Sequence, residues 1–150
     1  MKHLVLIAVL GLAGCSSMPE FLRPAANVTT PEARAPNAPP PDANTEDALD
    51  TTTEEERSAA LAAPEPAGER ELGTTVASLG SPTEPGIWMA TPLVTAVTPG
   101  RVVAENGKSV QLELRPLDGP PTAGSRISLP ALRLLEVGLA GLHTLTVYAR

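Results

Sequence analysis

Residues 100–148, GRVVAENGKSVQLELRPLDGPPTAGSRISLPALRLLEVGLAGLHTLTVY, decide the fold. Residues 108–116 alternate strictly, with Val110, Leu112, Leu114 and Pro116 on one face and Ser109, Gln111, Glu113 and Arg115 on the other. Period two is the mark of a half-buried strand, because successive side chains point to opposite faces. Residues 101–104 are a second apolar run, and Asn106-Gly107 lies between the two. An Asn-Gly pair in that place predicts a hairpin whose two turn positions both adopt positive φ. Residues 143–149 alternate in the same way and predict a final strand.

Between these strands the sequence predicts a Gly119-Pro120 loop, a short extended step at Gly124-Ser125-Arg126-Ile127 and one short helix. Ser128 is the expected cap. Pro130 sits in the first turn, where its missing N–H costs nothing, and Gly138 is the expected stop. Leu129, Leu132 and Leu135 then share one side.

Upstream, residues 74–79 read as a strand, Gly80-Ser81-Pro82 and Glu84-Pro85-Gly86 as turns, and residues 87–97 as an extended run broken by Pro92. The expected fold of residues 71–150 is therefore mainly β, a small barrel with one short helix. A core this small has no disulfide or metal to support it. Trp88 is expected in that core, its other reading being an exposed stacking platform for a sugar.

Several of these residues resemble a known family. Asn106-Gly107-Lys108-Ser109-Val110, Asp118-Gly119-Pro120, Gly124-Ser125-Arg126-Ile127, the helix and the closing strand are similar to the second half of the rare lipoprotein A family. Thr75-Val76-Ala77-Ser78 and Thr91-Pro92-Leu93-Val94 look like altered versions of that family's earlier motifs. The resemblance implies a double-psi β-barrel, a fold shared with expansins, and an association with peptidoglycan glycan strands, which some members cleave. In the family's pattern a histidine follows a Thr-Ala-Ala-like segment and an aspartate precedes Arg-Gly-Pro. Here Val94 takes the histidine's place, and Asp118 precedes Gly119-Pro120 with the arginine missing. Glycoside cleavage needs a group that exchanges a proton at the scissile oxygen, and valine has none. The resemblance thus implies a barrel that binds without cleaving. Its alternative is a residual lytic glycosidase using Asp118, which otherwise reads as a turn former beside Gly119. Trp88, Asp118 and Arg126 are the ligand-binding candidates.

The amino-terminal half is different material. Residues 1–14 have a basic Lys2, a short apolar run and small residues before Cys15, the pattern of a secretory signal ending in a lipobox. Cys15 is then the lipidation site and the attachment to the membrane. Ser16 after it resembles the sorting pattern of outer-membrane lipoproteins that face the periplasm. Cys15 is also the single cysteine, so no internal disulfide is possible.

Residues 15–70 are expected to form a disordered tether. Residues 16–70 hold nine prolines, eleven acidic residues and four arginines, whereas residues 71–150 carry six acidic and six basic side chains. Such a composition buries too little apolar surface to offset the entropy of ordering. Within it, Thr51-Thr52-Thr53-Glu54-Glu55-Glu56 has capping spacing, which predicts a transient helix over 52–63 that contributes no core contact.

Other chemistry is not encoded. No phosphate-cradling glycine motif occurs, and His143 is the only histidine after the signal, too few for a zinc site or a Ser-His-Asp set. No metal or cofactor is expected. A neutral domain behind an acidic tether disfavours nucleic acid. A sugar-acid (galactarate) dehydratase, a much larger metal-dependent enzyme, is unsupported. The expected partners are peptidoglycan or an envelope protein, the latter including an accessory role with the Ala-rich helix as contact.

Overall fold

The computed structural model describes residues 37–62 and 68–150. The expected signal peptide, Cys15 and part of the expected tether lie outside the described residues.

Six strands close a barrel in the order β1-β5-β2-β4-β3-β6. They are β1 (Arg70–Leu79), β2 (Trp88–Thr91), β3 (Thr98–Ala104), β4 (Ser109–Pro116), β5 (Ser125–Ile127) and β6 (His143–Ala149). The alternation read from the sequence becomes the wall of this barrel. Val110, Leu112 and Leu114 of β4 point inward with Leu145 and Val147 of β6 and Val102 of β3, all nearly inaccessible to solvent. Each fully buried aliphatic side chain of this kind contributes about 1.5–3 kcal/mol. Pro116 does not join them and is exposed at the end of β4.

Two pairings are parallel, β1 with β5 and β2 with β4, and the other four are antiparallel. Exchanging β1 with β4, β2 with β5 and β3 with β6 leaves the whole pairing set unchanged.

The β3–β4 turn differs from expectation. Gly107 N donates to Ala104 O at 2.9 Å, and Ala104 N donates to Lys108 O at 2.9 Å. Gly107 alone has positive φ, +80°. This is a three-residue loop ending in a left-handed glycine, so Asn106 needs no unusual backbone. Its side chain instead accepts from Lys108 N at 2.9 Å and donates to Leu135 O at 2.9 Å, fastening the turn to the segment after the helix.

β1 begins at Arg70, earlier than expected, and accommodates its extra length with a bulge between Glu71 and Gly73, where Gly73 has φ +125°. β2 ends at Thr91, because Pro92 has no N–H to continue the ladder.

The third helix, α3 (Leu129–Leu134), keeps Pro130 in its first turn and buries Leu129 and Leu132, with Leu135 buried just beyond its end. Ser128 makes no side-chain cap. Its hydroxyl accepts from Trp88 N at 3.1 Å, binding the helix start to β2. The helix stops before Gly138, and Glu136 takes the left-handed conformation at φ +54°.

The largest departure precedes the barrel. Residues 37–62 form α1 (Glu46–Leu49) and α2 (Glu54–Leu61), so the expected disordered tether does not extend over them. Thr53 and Glu56 complete the anticipated capping box of α2. Ala60 nevertheless belongs to the core cluster at 5 % exposure, and Gln111 Nε2 donates to Ala62 O at 2.7 Å. Composition predicted disorder because these residues carry little apolar surface of their own. The barrel supplies the partners they lack.

Candidate functional site

Trp88 is 3 % exposed, which rules out a stacking platform. Met89 and Thr91 point into the barrel, so Trp88 lies on its outer wall, covered by neighbouring chain rather than packed in the inner cluster. A Cβ on Gly80 would come within 2.6 Å of the Trp88 ring, so glycine there is what lets the chain close over the indole. The Arg115 guanidinium covers the ring from 5.1 Å and is itself held by Glu113 and Glu84. Trp88 Nε1 is buried without a hydrogen-bond partner among the described residues.

Asp118 is exposed in the loop after β4 and makes no hydrogen bond or ion pair among the described residues. Arg126 is exposed on β5, in register with Ser78 and Ala90. Arg126 thus lies on the strand beside Trp88, and no hydrogen bond, ion pair or cation–π contact among the described residues joins Trp88, Asp118 and Arg126.

What it does form is a groove of about 580 Å³ at the barrel end where Val94 sits. Leu93, Val94 and Ala149 give it apolar surface, Thr95 and Thr98 line it, and its ionisable side chains are Arg70 and Arg150. Both arginines are held in place by backbone pairing. Arg70 is in register with Ala149 across the β1–β6 ladder, and Arg150 N donates to Pro99 O at 3.0 Å. Neither makes an ion pair among the described residues. The adjacent Glu69 carboxylate is engaged elsewhere. Arg101 Nε donates to both of its oxygens at 3.1 Å, and Arg101 Nη2 donates at 2.7 Å. Those hydrogen bonds, helped by the charges of Arg101 and Arg150, hold Glu69 below the usual carboxylate range despite partial burial. The same contact raises Arg101, whose guanidinium also lies 4.4 Å from the Tyr148 ring centroid. Two arginines beside apolar and hydroxyl-bearing surface suit a carboxylate-bearing ligand, since guanidinium donors match a carboxylate in pairs.

Arg150 also lines a second cleft, of about 350 Å³, between α2 and the barrel wall. Inside the barrel, Thr75 and Ser125 share a hydrogen bond of 2.8 Å and Ser125 donates to Thr91 at 3.0 Å, a buried chain linking β1, β5 and β2. His143 Nε2 is buried without a partner among the described residues. The described residues contain no cluster of His, Cys, Asp or Glu able to hold a metal ion.

Sequence reading missed the groove because Arg70 was assigned to the tether and Arg150 carried no motif. The one available signal was Val94, a position that the sequence had singled out and that now lines the groove.

No family model, curated protein or solved structure matches the chain. What stands is the architecture: a mainly β protein with a closed six-stranded barrel.

Proposed function

We infer that this chain is a non-catalytic envelope lipoprotein, acylated at Cys15 and held at the outer membrane, whose barrel binds peptidoglycan in the periplasm. The observation that carries this reading is the groove beside Val94, whose ionisable lining consists of Arg70 and Arg150. Guanidinium groups bind carboxylates strongly and are poor proton donors or acceptors near neutral pH, so such a lining favours capture over cleavage. Peptidoglycan presents carboxylates along a polymer. The interchange symmetry of the strand pairing supports a double-psi barrel, the fold implied by the resemblance to the rare lipoprotein A family.

The experiment is sedimentation of the full chain with purified sacculi. Wild type co-sediments and releases no muropeptides, and the Arg70→Ala/Arg150→Ala double variant binds at least tenfold more weakly. Muropeptide release that Asp118→Ala abolishes would replace this reading with a residual lytic glycosidase. Absence of co-sedimentation would leave an envelope protein as the partner.

A further inference from the structure

The contact between residues 37–62 and the barrel is built unlike the barrel itself. In α2 the single buried residue is Ala60, and α1 buries none. Leu61, the bulkiest apolar residue of α2, is 53 % exposed. Apolar burial by the helices is therefore small, with Pro39 and Thr52 the other buried residues of 37–62, and the cleft between α2 and the wall formed by Ile87, Gly100 and Leu112 is left unfilled. Polar contacts to one side chain dominate instead. Arg133 of α3 donates to Asp47 Oδ1 at 2.7 Å, to Asp50 Oδ2 at 3.0 Å and to Glu46 O at 3.4 Å. The Asp50 side chain is only 5 % exposed and its other oxygen accepts from Thr52 N and Thr52 Oγ1, so one carboxylate joins Arg133 to the turn before α2. At the far end the join is the bond from Gln111 to Ala62 together with the small buried side chain of Ala60.

We propose that residues 37–62 are a releasable strap, latched to the barrel by Arg133 through Asp47 and Asp50, which opens while the barrel stays folded. Its sequence suits both states. Seven acidic residues against one arginine keep it soluble when released, and Arg133 offers the complementary charge when it closes. The pair to Asp47 is largely exposed, with 87 % of that side chain accessible, so salt screens it strongly. The pair to Asp50 is shielded, and the closed state needs it. The consequence is an adjustable reach: where Cys15 carries the anchor, release adds at most roughly 90 Å of contour between anchor and barrel, from about 3.3–3.6 Å per residue. Release also uncovers the apolar wall at Ile87 and Leu112.

Hydrogen–deuterium exchange of the full chain tests this. In low salt the amides of α2 are protected in wild type. Raising the salt to molar concentration, Arg133→Gln, and the strap-side Asp47→Asn/Asp50→Asn each lower that protection at least tenfold, while β3, β4 and β6 stay unchanged. The double variant leaves the barrel sequence intact, so it separates unlatching from misfolding. If α2 exchanges in step with β4 under every condition, residues 37–62 are an integral part of the core and the proposal fails. If α2 is unprotected in wild type at low salt, no closed state exists and it fails equally.

Discussion

Arg101 holds Glu69 by three hydrogen bonds of 2.7–3.1 Å, and this pair ties the residue just before β1 to the middle of β3. Glu69 and Arg101 are 32 residues apart in the chain, and their side chains are 14 % and 15 % exposed. The Tyr148 ring backs the guanidinium, so the pair is partly shielded from water and salt.

The pair gives the barrel an acid sensitivity of definite sign. Glu69 titrates below its ordinary value in the folded chain, chiefly because Arg101 donates to it. Its contribution is therefore complete above the ordinary glutamate range and is lost as pH falls through the lowered folded value. Glu69→Gln should cost about 1.5–3 kcal/mol at pH 7, the size of hydrogen bonds to a charged partner, and progressively less as pH falls below the ordinary glutamate range. Urea unfolding of both proteins across that range checks it. Equal losses in wild type and variant on acidification would show that Glu69 contributes nothing.

Ser125 sits between Thr75 and Thr91 where no water is expected to reach. Removing its hydroxyl with Ser125→Ala leaves the Thr75 hydroxyl without that partner and Thr91 with only the Leu93 N–H, at a cost of about 1–3 kcal/mol. In a domain of this size that lowers Tm by roughly 4–8 °C for each kcal/mol. A thermal melt followed by circular dichroism reads the change, and an unchanged Tm would mean the three hydroxyls are replaceable.

Gly100 is required by close approach, not by its backbone angle. A Cβ there would collide with the Leu114 side chain and come within 2.5 Å of Tyr148 O, which is backbone and cannot swing away. Gly100→Ala should destabilise by about 1–3 kcal/mol, the usual cost of overpacking. Gly107→Ala introduces no clash but strains a positive φ, so it should act on the β3–β4 turn while leaving the core packing unaltered. Comparing the two by chemical denaturation and side-chain NMR separates the mechanisms.

Trp88 is the only tryptophan, so its fluorescence reports one location. Burial predicts blue-shifted emission, weak quenching by acrylamide and a red shift on unfolding. Soluble peptidoglycan fragments that occupy the groove at Val94 should leave the emission maximum in place. Strong quenching in the native chain would overturn the burial and restore the stacking-platform reading.

The strands were legible where alternation is a property of neighbouring residues. Val110, Leu112 and Leu114 show it, as do Leu145 and Val147, because side-chain direction along a strand depends only on position. Gly107 was legible as a turn residue, though not the number of residues in its turn, because that depends on which carbonyl Ala104 N and Gly107 N reach. Pro130 marked the start of α3 by its missing N–H. Ser128 was misread as a cap because its hydroxyl had an alternative partner, Trp88 N, that lies 40 residues away.

Sequence alone thus determined which residues could turn inward, where the chain must bend and where its charge accumulates. Tertiary structure decided which strands neighbour one another, brought Thr75, Ser125 and Thr91 together, and set Arg70 beside Arg150 at the Val94 groove. It also placed Asp47 and Asp50 on Arg133, more than 80 residues along the chain. The reason is physical: periodicity and turn chemistry act between adjacent residues, whereas an ion pair or a buried hydroxyl exists only once closure of the barrel supplies its partner.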